Sequence, residues 1–179
     1  MSHNATLDSA TLVSHDLRSR LHIIVHGHAE EEVDPARDSV TEMNFLRLTV
    51  RLADPRGDVA SLNCRALRTE LSELAEALAF CGDAQQSRWR GRLLDCPLVL
   101  EVERPQHKTT LWTIGAVLVE GGVLPPGVDL RWDEQRLDDP TGMMSGVQFE
   151  ARPQALTVFA RALEAAVERY PIRRRRRSA

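Results

Sequence analysis

Leu46-Arg47-Leu48-Thr49-Val50-Arg51-Leu52, followed by Asp54-Pro55-Arg56-Gly57 and then by Val59 to Cys64, reads as a strand, a turn and a returning strand. Apolar and polar residues alternate with a period of two, the pattern of a strand with one face buried. Pro and Gly stand where a tight turn needs a fixed and a permissive backbone. From Leu67 the period changes. Leu67, Leu71, Leu74, Ala75 and Leu78 recur every three or four residues among good helix formers, which predicts an amphipathic helix. Thr69 is the expected N-cap, Glu70 and Glu73 sit near the positive end of the helix dipole, and Gly82 is a natural stop.

Outward from this unit, Leu21, Ile23 and Val25 alternate with His22, Ile24 and His26 in a further strand, and the fold is expected to begin there. Residues 1–20, with only Leu12, Val13 and Leu17 to bury, read as a loose lead-in. Beyond the helix, strands are predicted at Trp89 to Leu94, Leu98 to Glu103, Thr109 to Val119, Val128 to Trp132 and Gly146 to Ala151. Pro153 opens a second helix whose stripe is Leu156, Phe159, Leu163, Ala166, Val167 and Tyr170, and Pro171 ends it. The sum is one α+β domain over residues 21–173, a mainly antiparallel β-sheet covered by two amphipathic helices, with a basic, disordered tail at 174–179.

A chain of 179 residues is long enough to bury a core without staples. No apolar run reaches the ~20 residues of a membrane helix, and the N-terminus lacks the features of a signal peptide. A cytoplasmic protein is therefore expected. Cys64, Cys81 and Cys96 are odd in number and lack CxxC spacing, which suggests neither a disulfide framework nor a thiolate zinc site and fits a reducing compartment. The formal charge of −3 is uneven: five of the positive charges are Arg173 to Arg177, and the rest of the chain carries −8. An acidic body favours basic partners and disfavours nucleic acid and anionic membranes, whereas the tail has the opposite preference over a short, screened range.

The chemistry-bearing residues form few constellations. His22, His26 and His28 on one strand face could share a divalent metal in a small metal-dependent enzyme, but the following segment offers only Glu30, Glu31 and Glu32 as further ligands. No metal or cofactor is expected. Glu101 and Glu103 share a strand face, as paired carboxylates would, and a solvated sheet face explains them as well. Gly142-Met143-Met144-Ser145-Gly146 has the wrong spacing for a hydrolase elbow, and Gly121-Gly122 lacks a following helix to cradle phosphate. The arginine tail could neutralise phosphates, which gives the alternative of a nucleic-acid-associated protein. What remains are two acidic groups in predicted loops, Glu30, Glu31, Glu32 and Asp34, and Asp133, Glu134, Asp138 and Asp139, as candidate partner contacts.

A strand pair, then Leu67-Arg68-Thr69-Glu70-Leu71-Ser72-Glu73-Leu74, then a strand introduced by Pro97, and a last helix closing in Tyr170-Pro171-Ile172-Arg173 make a recognisable order. From about Leu21 to Arg173 it resembles the WapI-type immunity proteins of bacterial polymorphic toxin systems, whose L-x-T-x-E-L-x-x-L helix has one residue more between Thr and Glu than Thr69-Glu70 here and whose last helix has the same aromatic-Pro-x-Arg ending. The resemblance implies a non-enzymatic protein that binds and neutralises a cognate toxin. It names no interface residues. A basic, nuclease-like toxin is the partner an acidic body would suit.

Overall fold

The hairpin built on the alternating leucines closes one edge of a four-stranded antiparallel sheet. The computed structural model describes residues 8–29, 44–83, 86–93, 95–104, 110–119, 130–133, 136–137 and 143–173. In chain order these form β1 (Asp8–Val13), β2 (Arg20–His28), β3 (Phe45–Asp54), β4 (Gly57–Leu67), α1 (Arg68–Gly82), β5 (Arg88–Arg92), β6 (Leu98–Glu103), β7 (Trp112–Val119), β8 (Trp132–Asp133), β9 (Arg136–Leu137), β10 (Met144–Ala151) and α2 (Pro153–Glu168). The α+β class is as expected, but the strands divide into two antiparallel sheets, β1-β2-β3-β4 and β5-β6-β7-β10-β9-β8.

One core joins them. Leu46, Leu48, Val50 and Leu52 of β3 are fully buried and meet Leu98, Leu100, Val102 and Ile114 of the second sheet, Leu71, Leu74 and Leu78 of α1, and Leu156, Phe159 and Leu163 of α2. The helical stripes read from the sequence are thus the buried ones, except that Leu67 ends β4 and Tyr170 lies beyond the end of α2, both only partly buried. The helix start differs in detail: Thr69 lies within α1, and the Glu70 carboxylate instead accepts the Leu67 N–H at 3.0 Å, the reciprocal half of a capping box. Among the described residues no helix is long and apolar enough to cross a membrane.

The fold does not begin at Leu21. Asp8–Val13 pairs along its whole length with β2, and Ala10 and Leu12 are buried in the core. Its turn is held by Ser14, whose Oγ accepts the N–H groups of Arg18 at 3.1 Å and Ser19 at 2.9 Å. At its other end Asp8 receives the Tyr170 hydroxyl at 2.7 Å and an ion pair from Arg169. Two buried side chains on one short strand give little period to read, which is why the segment looked like a lead-in.

The cysteines are not all unpaired either. Cys64 of β4 and Cys96, just before β6, are joined in a disulfide with a Cα–Cα distance of 5.2 Å, which ties the first sheet to the second. Cys81 is the free, buried cysteine of α1, and burial pushes its thiol up to about 11. The aromatic-Pro-x-Arg ending is a latch: Arg68 Nε donates to the Tyr170 carbonyl at 3.0 Å. Asn44 then grips Arg173, accepting its N–H at 2.8 Å and donating to its carbonyl at 3.2 Å.

A buried carboxylate fixes the hairpin turn. Asp54, with its side chain 3% exposed, ion-pairs with Arg136 of β9 and accepts the Arg56 N–H at 2.8 Å. The Arg136 hydrogen bond, foremost, and the turn N–H groups hold its pKa below the ordinary 3.8, against the effect of burial. A carboxylate depressed in the folded state stabilises fully above its unfolded value, and that contribution is lost as pH falls through the folded value. Asp54→Asn is therefore expected to cost about 1–3 kcal/mol at neutral pH. The gap from the wild type should narrow below about pH 4 in urea titrations at several pH values; a gap independent of pH would show that the charge plays no part.

Candidate binding surface

Because the leucines of β3 point inward, Arg47, Thr49 and Arg51 point to the other face of the first sheet. The register sets their neighbours. Arg47 lies opposite Arg65, Thr49 opposite Asn63 and Arg51 opposite Ser61 on β4, while Arg51 lies opposite His22 on β2. At the centre Thr49, 6% exposed, donates its hydroxyl to Asn63 Oδ1 at 2.7 Å. That uses its one proton, so His26 Nε2, 2.7 Å from the same oxygen, is the donor to it. The Arg65 guanidinium stacks on the Phe45 ring, 4.7 Å from its centre.

These residues border an open groove of about 1090 Å³, with His26, Arg47, Thr49, Asn63 and Arg65 on one side and Asp95 and Pro97 on the other. The Cys64–Cys96 bond joins the two walls. The face is electropositive enough to act on His22, whose pKa is lowered by burial first and then by Arg51 and Arg20.

The histidines do not share a face. A β-bulge between Val25 and Gly27 shifts the register, so that Gly27 pairs with Arg47 and His28 with Leu46. Gly27 makes this possible: its φ of +136° is one that side-chain-bearing residues rarely adopt, and Tyr170 lies 3.6 Å from where a Cβ would be. His22 and His26 stay outside, and His28 turns to the core side with its ring edge-on to Tyr170, centroids 6.0 Å apart. The His22, His26 and His28 grouping behind the metal alternative is thereby broken. Among the described residues no three His, Cys, Asp or Glu side chains gather as a metal site would require.

Glu101 and Glu103 face outward opposite Arg90 and Arg88 of β5, and Glu101 ion-pairs with Arg90 at 3.1 Å. Ser145 lies within β10 opposite Leu118, away from any strand-to-helix turn. Two further cavities are smaller: one of about 350 Å³ between α1 and β5, lined by Glu70, Glu73, Leu74 and Trp89, and one of about 220 Å³ beside His15, Asp16 and Gln148.

Of the acidic candidates, Glu30, Glu31, Glu32, Asp34, Glu134, Asp138 and Asp139 lie outside the described residues, as do Gly121-Gly122 and the tail 174–179. Asp133 is placed by its backbone alone, paired with Arg136 in the β8–β9 hairpin. The first acidic run follows Ala29, which borders the groove and donates its N–H to the Phe45 carbonyl at 2.8 Å. The sequence reading missed Arg47, Thr49, Asn63 and Arg65 as site residues. For the β3 residues the available signal was Arg47, Thr49 and Arg51 at three successive outward positions. No known protein family, no curated protein and no solved structure matches the chain.

Proposed function

We propose that the chain is a non-enzymatic immunity protein that binds and neutralises a cognate bacterial toxin domain, acting in the cytoplasm. The supporting observation is the outer sheet face: its polar side chains engage one another across three strands and border a broad groove, an arrangement suited to contact with a macromolecule.

The acidic groups supply charge steering toward a basic toxin. Co-expression with the toxin domain encoded beside its gene is expected to restore growth. Reversing Glu30, Glu31 and Glu32 to lysine should slow association at low salt more than at high salt, because steering is screened over ~8 Å at physiological ionic strength. Deleting residues 174–179 should leave protection intact. Equal association rates for the reversed and native chains at every salt concentration would remove the acidic run from the interface.

A further inference from the structure

We propose that the cavity between α1 and β5 is a binding site for an aliphatic chain ending in a cation, the chemistry of a lysine or arginine side chain and of a free alkylamine. It shares no described lining residue with the groove on the first sheet, and it does not depend on the immunity function. The floor is apolar, made by Leu74 of α1 and by Leu98 and Leu100 of β6, all buried, and one wall is the half-buried indole of Trp89. A volume of about 350 Å³ is at the small end for ligand pockets, which run from ~300 to ~1,000 Å³, and suits a chain of a few atoms. Gly91 lets the indole lie down. Two positions on from Trp89, it shares that residue's face of β5, and a Cβ there would overlap the ring.

The charged side chains that reach this cavity have one sign. Glu73 is exposed at its rim and, among the described residues, makes no ion pair or hydrogen bond. Glu70 borders the same space, with its carboxylate already accepting the Leu67 N–H. Arg92 is also at the border, but alternation along β5 carries its side chain to the opposite face with Arg88 and Arg90, the row that lies opposite Glu103 and Glu101. A seated cation meets the indole and the Glu73 carboxylate together, while its methylenes cover the leucines. A neutral chain gains the apolar contact alone, and an anion faces Glu73.

The test is a titration of the isotope-labelled full chain with n-butylammonium, n-butanol and butyrate. Binding is followed by NMR at the indole N–H of Trp89, whose signal is identified by its loss in Trp89→Phe. Butylammonium is expected to shift that signal and to bind roughly tenfold more tightly than butanol at low salt, with butyrate weakest. Glu73→Gln should remove most of the preference for the cation, and Arg92→Gln should keep it. Gly91→Ala, which leaves every lining side chain present but displaces the indole, should weaken the amine and the alcohol alike. Glu73 is exposed, so Glu73→Gln decides the matter even if Gly91→Ala fails to fold. Equal binding of butanol and butylammonium, tighter binding of butyrate, or a cation preference untouched by Glu73→Gln would overturn the proposal. So would a Trp89 signal that saturating butylammonium does not move. A lysine blocked at its backbone amine and carboxyl separates the sources: binding at least as tight as that of butylammonium assigns the site to a protein side chain, and exclusion of the blocked lysine assigns it to a free amine.

Discussion

Phe159→Ala is expected to lower the unfolding free energy by about 3–5 kcal/mol, among the largest single-residue effects in the described core. Phe159 is the largest of the fully buried side chains and lies in the core shared by both helices and both sheets. Its loss removes apolar burial and leaves a void that neighbours on rigid strands cannot collapse to fill. Leu74→Ala, on the opposing helix, should cost about 2–5 kcal/mol for the same reason. In urea titrations both variants should shift the midpoint with little change in slope. Unchanged midpoints in both would contradict the two-helix core.

Opening the Cys64–Cys96 bond should cost nearly as much. The two residues are 32 apart in sequence, and closing a loop of that length restricts the unfolded chain by about 3–4 kcal/mol at 25 °C. Titrations of the wild type with and without reductant should differ by that amount, and a Cys64→Ala, Cys96→Ala variant should be insensitive to reductant. Identical midpoints for the oxidised and reduced wild type would mean that the link between the sheets adds nothing to stability.

Where local period and tertiary burial agree, the chain was legible. Leu46 to Leu52 and the stripes from Leu71 to Leu78 and from Leu156 to Val167 each carry enough repeats for one face to stand out, and those faces are the buried ones. Asp8–Val13 was not legible because Ala10 and Leu12 are too few for a period and because its anchors, Arg169 and Tyr170, lie more than 160 positions away. The bulge at Gly27 was equally hidden: a single glycine among three histidines does not announce a register shift, yet that shift sends His28 to the core and leaves His26 outside. Cysteine spacing carries no information about two sheets coming face to face, so the disulfide could not be foreseen.

The site was less legible than the fold. Arg47, Arg51 and Arg65 read as the solvated side of a hairpin, and only the register shows which of them oppose one another. Net charge hides the face in the same way, since it averages an acidic chain over a face whose described charges are mainly basic. Thr49 is a polar residue at odds with its place, buried at the centre of the outer face opposite Ile24. Its partners, His26 and Asn63, come from 23 and 14 residues away.

The most direct test of the immunity function is a calorimetric titration of the purified chain against the purified toxin domain encoded beside its gene, with toxin activity followed in the same mixtures. A saturable complex is expected, with toxin activity falling in proportion to the fraction bound and with affinity weakened by the lysine reversals at Glu30, Glu31 and Glu32. Absence of heat and undiminished toxin activity at saturating concentration would contradict the function proposed for this chain.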